Sequence, residues 1–382
     1  MNKKLIAAAV SAAVVAPVTA YGEVTVYGRI NNAIDLNDLN DIDDDNDSTN
    51  DDSTTHLSGI ASRFGIKYNK EMGNGMTAHG KYEFGTTTDK EGGGVEDTRI
   101  ATVGLSGPFG RIDVGNQWSS YFNTVGTLIS PTYTLGAHLY NSVGGGPFRA
   151  SNTIKYSNSF GPLHAELDVR LNDDSDPEGS GVAEKLRGDG IGLGLSWAVT
   201  DSITIAAAWD NEDGEDDDDL VERVSKTNSE GPTPVLEYDD KDGRRGEEDR
   251  IGIAVKGTFG NYWAALGWQN YELSDLDVIA QDLNDDGDTL DPGETTTPKE
   301  EDIDTMFIWG GGNLGERTRW MLGYSEADDD NDDVNDDPEQ FTWGIYHKLG
   351  GGLTLYYEAT SVEAEAHELD GDRHLLGMLV SF

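Results

Sequence analysis

Few residues in this chain have types and spacings that suggest chemistry. Asp282, Asn284, Asp286 and Asp288, with Gly287 among them, match the opening of a calcium-binding loop of the EF-hand type, where alternate side chains supply oxygens around a glycine turn. The twelfth position is Gly293, and Glu294 comes one residue late, so the bidentate carboxylate is out of register. No helical pattern flanks the stretch. It reads as an oxygen-rich loop that attracts Ca2+ or Mg2+ diffusely, and no cofactor is required. The seven histidines, at 56, 79, 138, 164, 347, 367 and 374, never form His-Glu-x-x-His. Gly-x-Ser-x-Gly does not occur, and zero Cys removes thiolate catalysis, Cys-ligated metals and disulfides. By alternation His79 and His164 fall on the polar faces of strands, as polar groups rather than ligands. The expectation is a protein that is not an enzyme.

Charge narrows the partners. The 382 residues carry 72 Asp plus Glu against 27 Lys plus Arg, a net charge of −45. Such a surface repels phosphate backbones and excludes nucleic acid as a partner. Most of the acids are concentrated in Asp/Asn-rich runs such as Asp43–Asp47 and Asp328–Asp333, which have nothing apolar to bury and read as solvated loops. The intervening sequence is nearly charge-balanced. With 8 Trp, 15 Tyr and 10 Phe, global disorder does not fit.

Residues 1–20 have the anatomy of a secretory signal. Lys3 and Lys4 precede an apolar core, and Pro17-Val18-Thr19-Ala20 ends in small residues. Cleavage after Ala20 would leave 21–382 as the mature chain. No later stretch approaches the roughly 18 apolar residues of a transmembrane helix.

Between the acidic runs lie segments of period two, including Val24–Asn31, Leu163–Arg170, Arg250–Lys256 and Arg317–Tyr324. Strict alternation marks strands with one apolar and one polar face. Seven connections are tight turns: Met72–Gly75, Gly107–Gly110, Gly161-Pro162, Thr200-Asp201, Phe259–Asn261, Gly312–Gly315 and Leu349–Gly352. Eight others are long, namely the acidic runs plus 86–97 and 119–149. Seven turns and eight loops join sixteen strands. Segregated loop lengths, with strands of about 9–11 residues, point to an all-β transmembrane antiparallel barrel whose turns all face one compartment. A polar lumen also explains why 36% hydrophobic residues suffice. Tyr21, Tyr68, Phe109, Tyr262, Trp263, Trp320, Tyr324, Tyr346 and Phe382 lie near strand ends, where interface girdles form.

Several segments then carry a family resemblance. Glu23–Arg29 (Glu-Val-Thr-Val-Tyr-Gly-Arg), Ser62–Lys67, Arg99–Gly110, Val114–Ser119, Arg149–Tyr156 and the terminal Phe382 together resemble the general diffusion porins of Gram-negative outer membranes. The resemblance spans the mature chain in order. It implies a homotrimeric, sixteen-stranded barrel in outer-membrane lipid and lipopolysaccharide, with a water-filled channel for passive diffusion of ions and small hydrophilic solutes. It also implies a third long loop folded inward to narrow the barrel.

Here that loop is 119–149. Ser119–Ala150 holds no Asp or Glu, but Tyr121, Phe122, Leu128, Ile129, Tyr133, Leu135, Leu139, Tyr140 and Phe148 are present. Exposed, it would form a sticky patch; tucked into the lumen, it would not. Many relatives place carboxylates on this loop, and their absence weakens any transverse field. Arg29, Arg63, Lys67, Lys81, Arg99 and Arg149 are assigned to polar strand faces, and the resemblance places Arg29, Arg63 and Arg99 on a basic wall beside the constriction. With Tyr121, Tyr133 and His138 from the loop, these are the expected pore-lining residues. The acidic loops suit a saline or marine habitat. Two other readings are a calcium-binding outer-surface adhesin, which lacks its fixed-period repeat, and a barrel enzyme, which lacks a Ser/His/acid set.

Overall fold

The computed structural model describes residues 22–37, 54–89, 94–132, 135–137, 139–171, 190–212, 247–274, 279–280, 295–296, 301–329, 337–363 and 371–382. The leader at 1–20, Tyr21, Tyr133, His138 and the Asp282–Asp288 stretch lie outside these residues.

Sixteen antiparallel strands close into one barrel. They are β1 Glu23–Asn37, β2 in two pieces (Thr54–Gly59 and Arg63–Gly73), β3 Met76–Thr86, β4 Val95–Gly107, β5 Gly110–Trp118, β6 Arg149–Phe160, β7 Leu163–Arg170 and β8 Gly190–Thr200. Then follow β9 Ile203–Glu212, β10 Glu247–Phe259, β11 Tyr262–Ser274, β12 Glu301–Leu314, β13 Thr318–Asp329, β14 Glu339–Gly350, β15 Leu353–Glu363 and β16 Gly371–Ser381. Each strand pairs with its sequence neighbours. β16 returns to β1 in a register running from Arg29 opposite Ser381 to Asn37 opposite Arg373. At this seam Gly28 and Phe382 exchange backbone hydrogen bonds of 3.0 and 3.1 Å. Arg373 donates from Nη2 and Nε to the two oxygens of Asp35, at 2.7 and 3.1 Å. Closure leaves no free sheet edge, which is what a membrane requires.

The two faces follow the alternation. On β16, Leu376 and Met378 are outward and exposed while Leu375 and Leu379 are buried; on β12, Met306 and Ile308 alternate with buried Phe307 and Trp309. Asn31, Asp35, Asp168, Asp210, Gln269 and Glu358 are fully buried on the inner side. Apolar outside and polar inside inverts the usual arrangement of a soluble domain.

The short turns fall where the Gly and Asn residues stand. In the first, Gly73, Asn74 and Gly75 all take positive φ (90°, 51° and 72°), which glycine and asparagine adopt with little strain. One expected turn moves: Gly312–Gly315 becomes Gly315–Arg317, because β12 continues to Leu314. A Cβ at Gly311 would lie 2.7 Å from the Trp263 Nε1, and one at Gly312 would lie 2.6 Å from the Tyr262 ring. These glycines accommodate neighbouring aromatics and do not make the turn. Two aromatics assigned to the girdles also face inward: Tyr346 is buried among inner-wall residues, and Trp263 packs against the same cluster.

Candidate functional site: the inner wall and the segment after β5

The basic wall is built by β1 to β4 around one carboxylate. Glu83 on β3, 3% exposed, accepts a 2.8 Å hydrogen bond from the Tyr27 hydroxyl. Three cations surround it: Arg99 Nε at 3.2 Å, Lys81 Nζ at 3.3 Å and Arg63 Nε at 3.6 Å. Lys67 sits above the Tyr27 ring, its Nζ 4.4 Å from the centroid. Arg29 pairs across the sheet with Arg63, and its Nε donates to the Ala61 carbonyl at 3.0 Å.

Local irregularities aim these side chains. Ala61 has φ 45°, and it interrupts β2 between its two pieces. Ser62 bridges the break by accepting from Asn31 N–H (3.0 Å) and donating to the Asn31 carbonyl (3.1 Å). On β4, Val103 is 67% exposed and outward, so strict alternation would turn Arg99 outward too. A register shift opposite Glu83 and Phe84 brings Arg99 to the inner side instead. Outward, an Arg near the midplane would cost about 2–4 kcal/mol.

The segment between β5 and β6 forms short helical turns at Phe122–Gly126, Thr127–Ile129, Leu135–Ala137 and Leu139–Val143. Tyr121, Val125, Ile129, Leu139 and Tyr140 are fully buried. Wall side chains hold its backbone. Asp168 accepts from Ser120 N–H (2.7 Å), Glu358 from Leu135 N–H (3.2 Å) and Gln340 from Leu139 N–H (3.3 Å). Gln269 donates to the carbonyls of Tyr140 and Gly144, at 2.9 and 2.8 Å, and Arg250 donates to that of Gly145 at 2.6 Å. Glycines on the wall let the segment approach closely: a Cβ at Gly252 or Gly267 would collide with Tyr121 or Ile129. Burial pushes the Tyr140 hydroxyl well above its usual pKa, which keeps it a donor to the Pro147 carbonyl at 2.8 Å.

Beneath the segment runs an ionic network. Arg170 donates to Asp210, Glu212 and Asp168, and Arg250 pairs with Asp210 and Glu248. Glu166 joins Lys155 (3.3 Å), His164 (3.1 Å) and Asn123 of the segment (2.8 Å). Asp168, Asp210, Glu212 and Glu248 are therefore engaged by arginines, and Glu166 by Lys155, His164 and the segment.

Of the expected pore residues, Arg63, Lys67, Lys81 and Arg99 come together and Arg29 adjoins them. Arg149 stands apart at the start of β6, its guanidinium 5.6 Å from the Trp118 centroid. Tyr121 is corrected: it is wholly buried against Gly252, so it anchors the segment instead of presenting its ring to the lumen. Glu83, Tyr27 and the backbone-holding Asp168, Arg250, Gln269, Gln340 and Glu358 escaped the sequence reading. Their inward parity was available as a signal, as in Glu166 and Asp168 of the Leu163–Arg170 strand. Among the described residues no group of three or more His, Asp or Glu is arranged to hold a metal ion.

A closed sixteen-stranded barrel with apolar exterior and charged interior suits a water-filled channel across a membrane, and the family comparison agrees. Residues 6–367 match the model of the Gram-negative porin family. The chain belongs to that family. It is an outer-membrane channel for passive diffusion. No curated protein sequence matches. Among solved structures, this porin is similar to a loop L8 deletion mutant of OmpT, an outer membrane protein of Vibrio cholerae (14% identity, TM-score 0.68, covering 95% of this chain and 100% of that one). It is similar also to the trimer form of OmpT from the same species (14%, 0.65, 94% and 99%). An anion-selective porin from Comamonas acidovorans is comparable (15%, 0.66, 95% and 100%). At these identities the likeness describes the fold.

Proposed function

We propose that the segment 119–149 narrows this channel and that permeating solutes pass between it and the basic wall of β1 to β4. One observation carries the reading: the hydrogen bonds that hold the segment come from β7, β10, β11, β14 and β15, while Arg63, Lys67, Lys81 and Arg99 occupy the opposite arc. The segment sets the size limit, and the wall sets the charge preference where the pore is tightest. The trimer form of Vibrio cholerae OmpT supports a homotrimer here. Export through cleavage after Ala20, contact with lipopolysaccharide, adaptation to saline water, diffuse Ca2+ or Mg2+ binding by the acidic loops and the lack of enzymatic activity belong to the same proposal. Liposome swelling with neutral sugars of graded size tests it. Removal of 120–145 is expected to admit larger sugars, and an unchanged size limit in an intact barrel would refute the narrowing role.

A further inference from the structure

A second solute-facing site is built near the short-turn end, and no part of the reading above uses it. Lys256 on β10 is half-buried, with its Nζ 4.7 Å from the centroid of the Trp263 ring on β11. Among the described residues no carboxylate lies within 4.0 Å of this ammonium. The Trp263 indole lies against β12 because position 311 has no side chain: a Cβ there would be 2.7 Å from Nε1. On the far side of β12, the Arg319 guanidinium is 4.2 Å from the centroid of Tyr346. Tyr346 stacks on Tyr356 at 6.1 Å and 22°. Their hydroxyls donate to Glu358 (2.6 Å) and to Asn31 Oδ1 (2.9 Å), which fixes both rings. Two cations and the partly exposed Trp263 indole thus line one band of the inner wall, with Tyr346 buried beneath Arg319.

The band lies below the narrowing segment. The segment meets the same strands at Gly267 and Trp309, through Ile129 and Gly136. Those positions are two to four residues further from the turns, about 7–14 Å along the strand. The band therefore lies nearer the short turns than the segment's contacts with these strands.

We infer that Lys256, Trp263 and Arg319 form a weak binding site for flat organic anions of the aromatic carboxylate class. The carboxylate would meet the two cations, and the ring would lie on the indole. A bare ammonium in a wet lumen attracts small anions with little discrimination. Adjacent aromatic surface adds dispersion and desolvation that only a ring-bearing anion can exploit. A channel site must also release its solute, and a two-point site in contact with water does so readily. The inference rests on the channel activity and not on the narrowing role of 119–149.

Single-channel recording with potassium benzoate and potassium acetate, each added to a constant KCl background, tests this. Benzoate is expected to reduce the current at a half-blocking concentration at least tenfold below that of acetate. Lys256→Gln should raise the benzoate value fivefold or more, and Lys256→Arg should hold it near wild type. Trp263→Leu should raise the benzoate value alone. Equal values for benzoate and acetate in the wild-type channel would overturn the site without recourse to any variant. So would variants that conduct and retain the wild-type benzoate value.

Discussion

Glu83 sets the net charge of the basic wall. It is the carboxylate shared by Arg63, Lys81 and Arg99, and it holds the Tyr27 hydroxyl beside Lys67. The cations outnumber it, so the wall stays net positive. Replacing Arg63 and Arg99 together by Gln is expected to move reversal potentials toward cations at every salt concentration; wild-type potentials in that double variant would remove these arginines from the ion path. Glu83→Gln should act with the opposite sign, toward anions. It should also lower the thermal midpoint, because three cations lose their common partner and repel one another. Reversal potentials and a melting curve on the same preparation check both effects. The residues of this wall were only partly legible in the sequence. Arg63, Lys67 and Lys81 follow from period two. Arg99 does not, since its inward aim depends on a bulge that alternation counted from Val103 does not show. The convergence on Glu83 is a cross-strand property, fixed by registers that no local pattern encodes.

At the scale of elements, the strands and turns were readable because hairpin chemistry and alternation are local. The segment after β5 was readable only as an anomaly, acid-free and aromatic in a chain crowded with Asp. Its seating could not be read, because it depends on side chains such as Gln269, Gln340 and Arg250 reaching backbone atoms more than a hundred residues away in sequence. That seating carries a consequence for selectivity as well as for size. Asp168 and Glu358 are fully buried beneath the segment, and each accepts one of its backbone N–H groups. Deleting 120–145 should therefore raise single-channel conductance and expose these carboxylates to the lumen, shifting selectivity toward cations. A wider pore with unchanged selectivity would mean that these acids stay screened by Arg170 and Arg250. Unchanged conductance in an intact barrel would place the segment away from the ion path.

For the whole molecule, two charge distributions of opposite sign act at different ranges. The net charge of −45 is carried mostly by the acidic runs, and the strand ends that flank them share one rim of the barrel. Their repulsion is strongest at low ionic strength, where the Debye length reaches about 30 Å at 0.01 M salt. Calcium or magnesium at millimolar concentration should then raise the melting temperature, and chelation that leaves the curve unchanged in low salt would argue against this. The same charges concentrate cations at the mouth. In 0.1–0.15 M salt that influence is screened beyond about 8–10 Å. For ions that pass within a few ångströms of the basic wall, as proposed, little electrolyte intervenes, so added salt weakens its effect less. The expected result is a weak cation preference at low salt that fades or reverses toward anions as salt rises. Reversal potentials under fixed KCl gradients at mean concentrations from about 0.01 to 1 M measure this directly. A preference that keeps its sign and size across the series would mean that one distribution governs alone: the mouth if cations are favoured throughout, the wall if anions are.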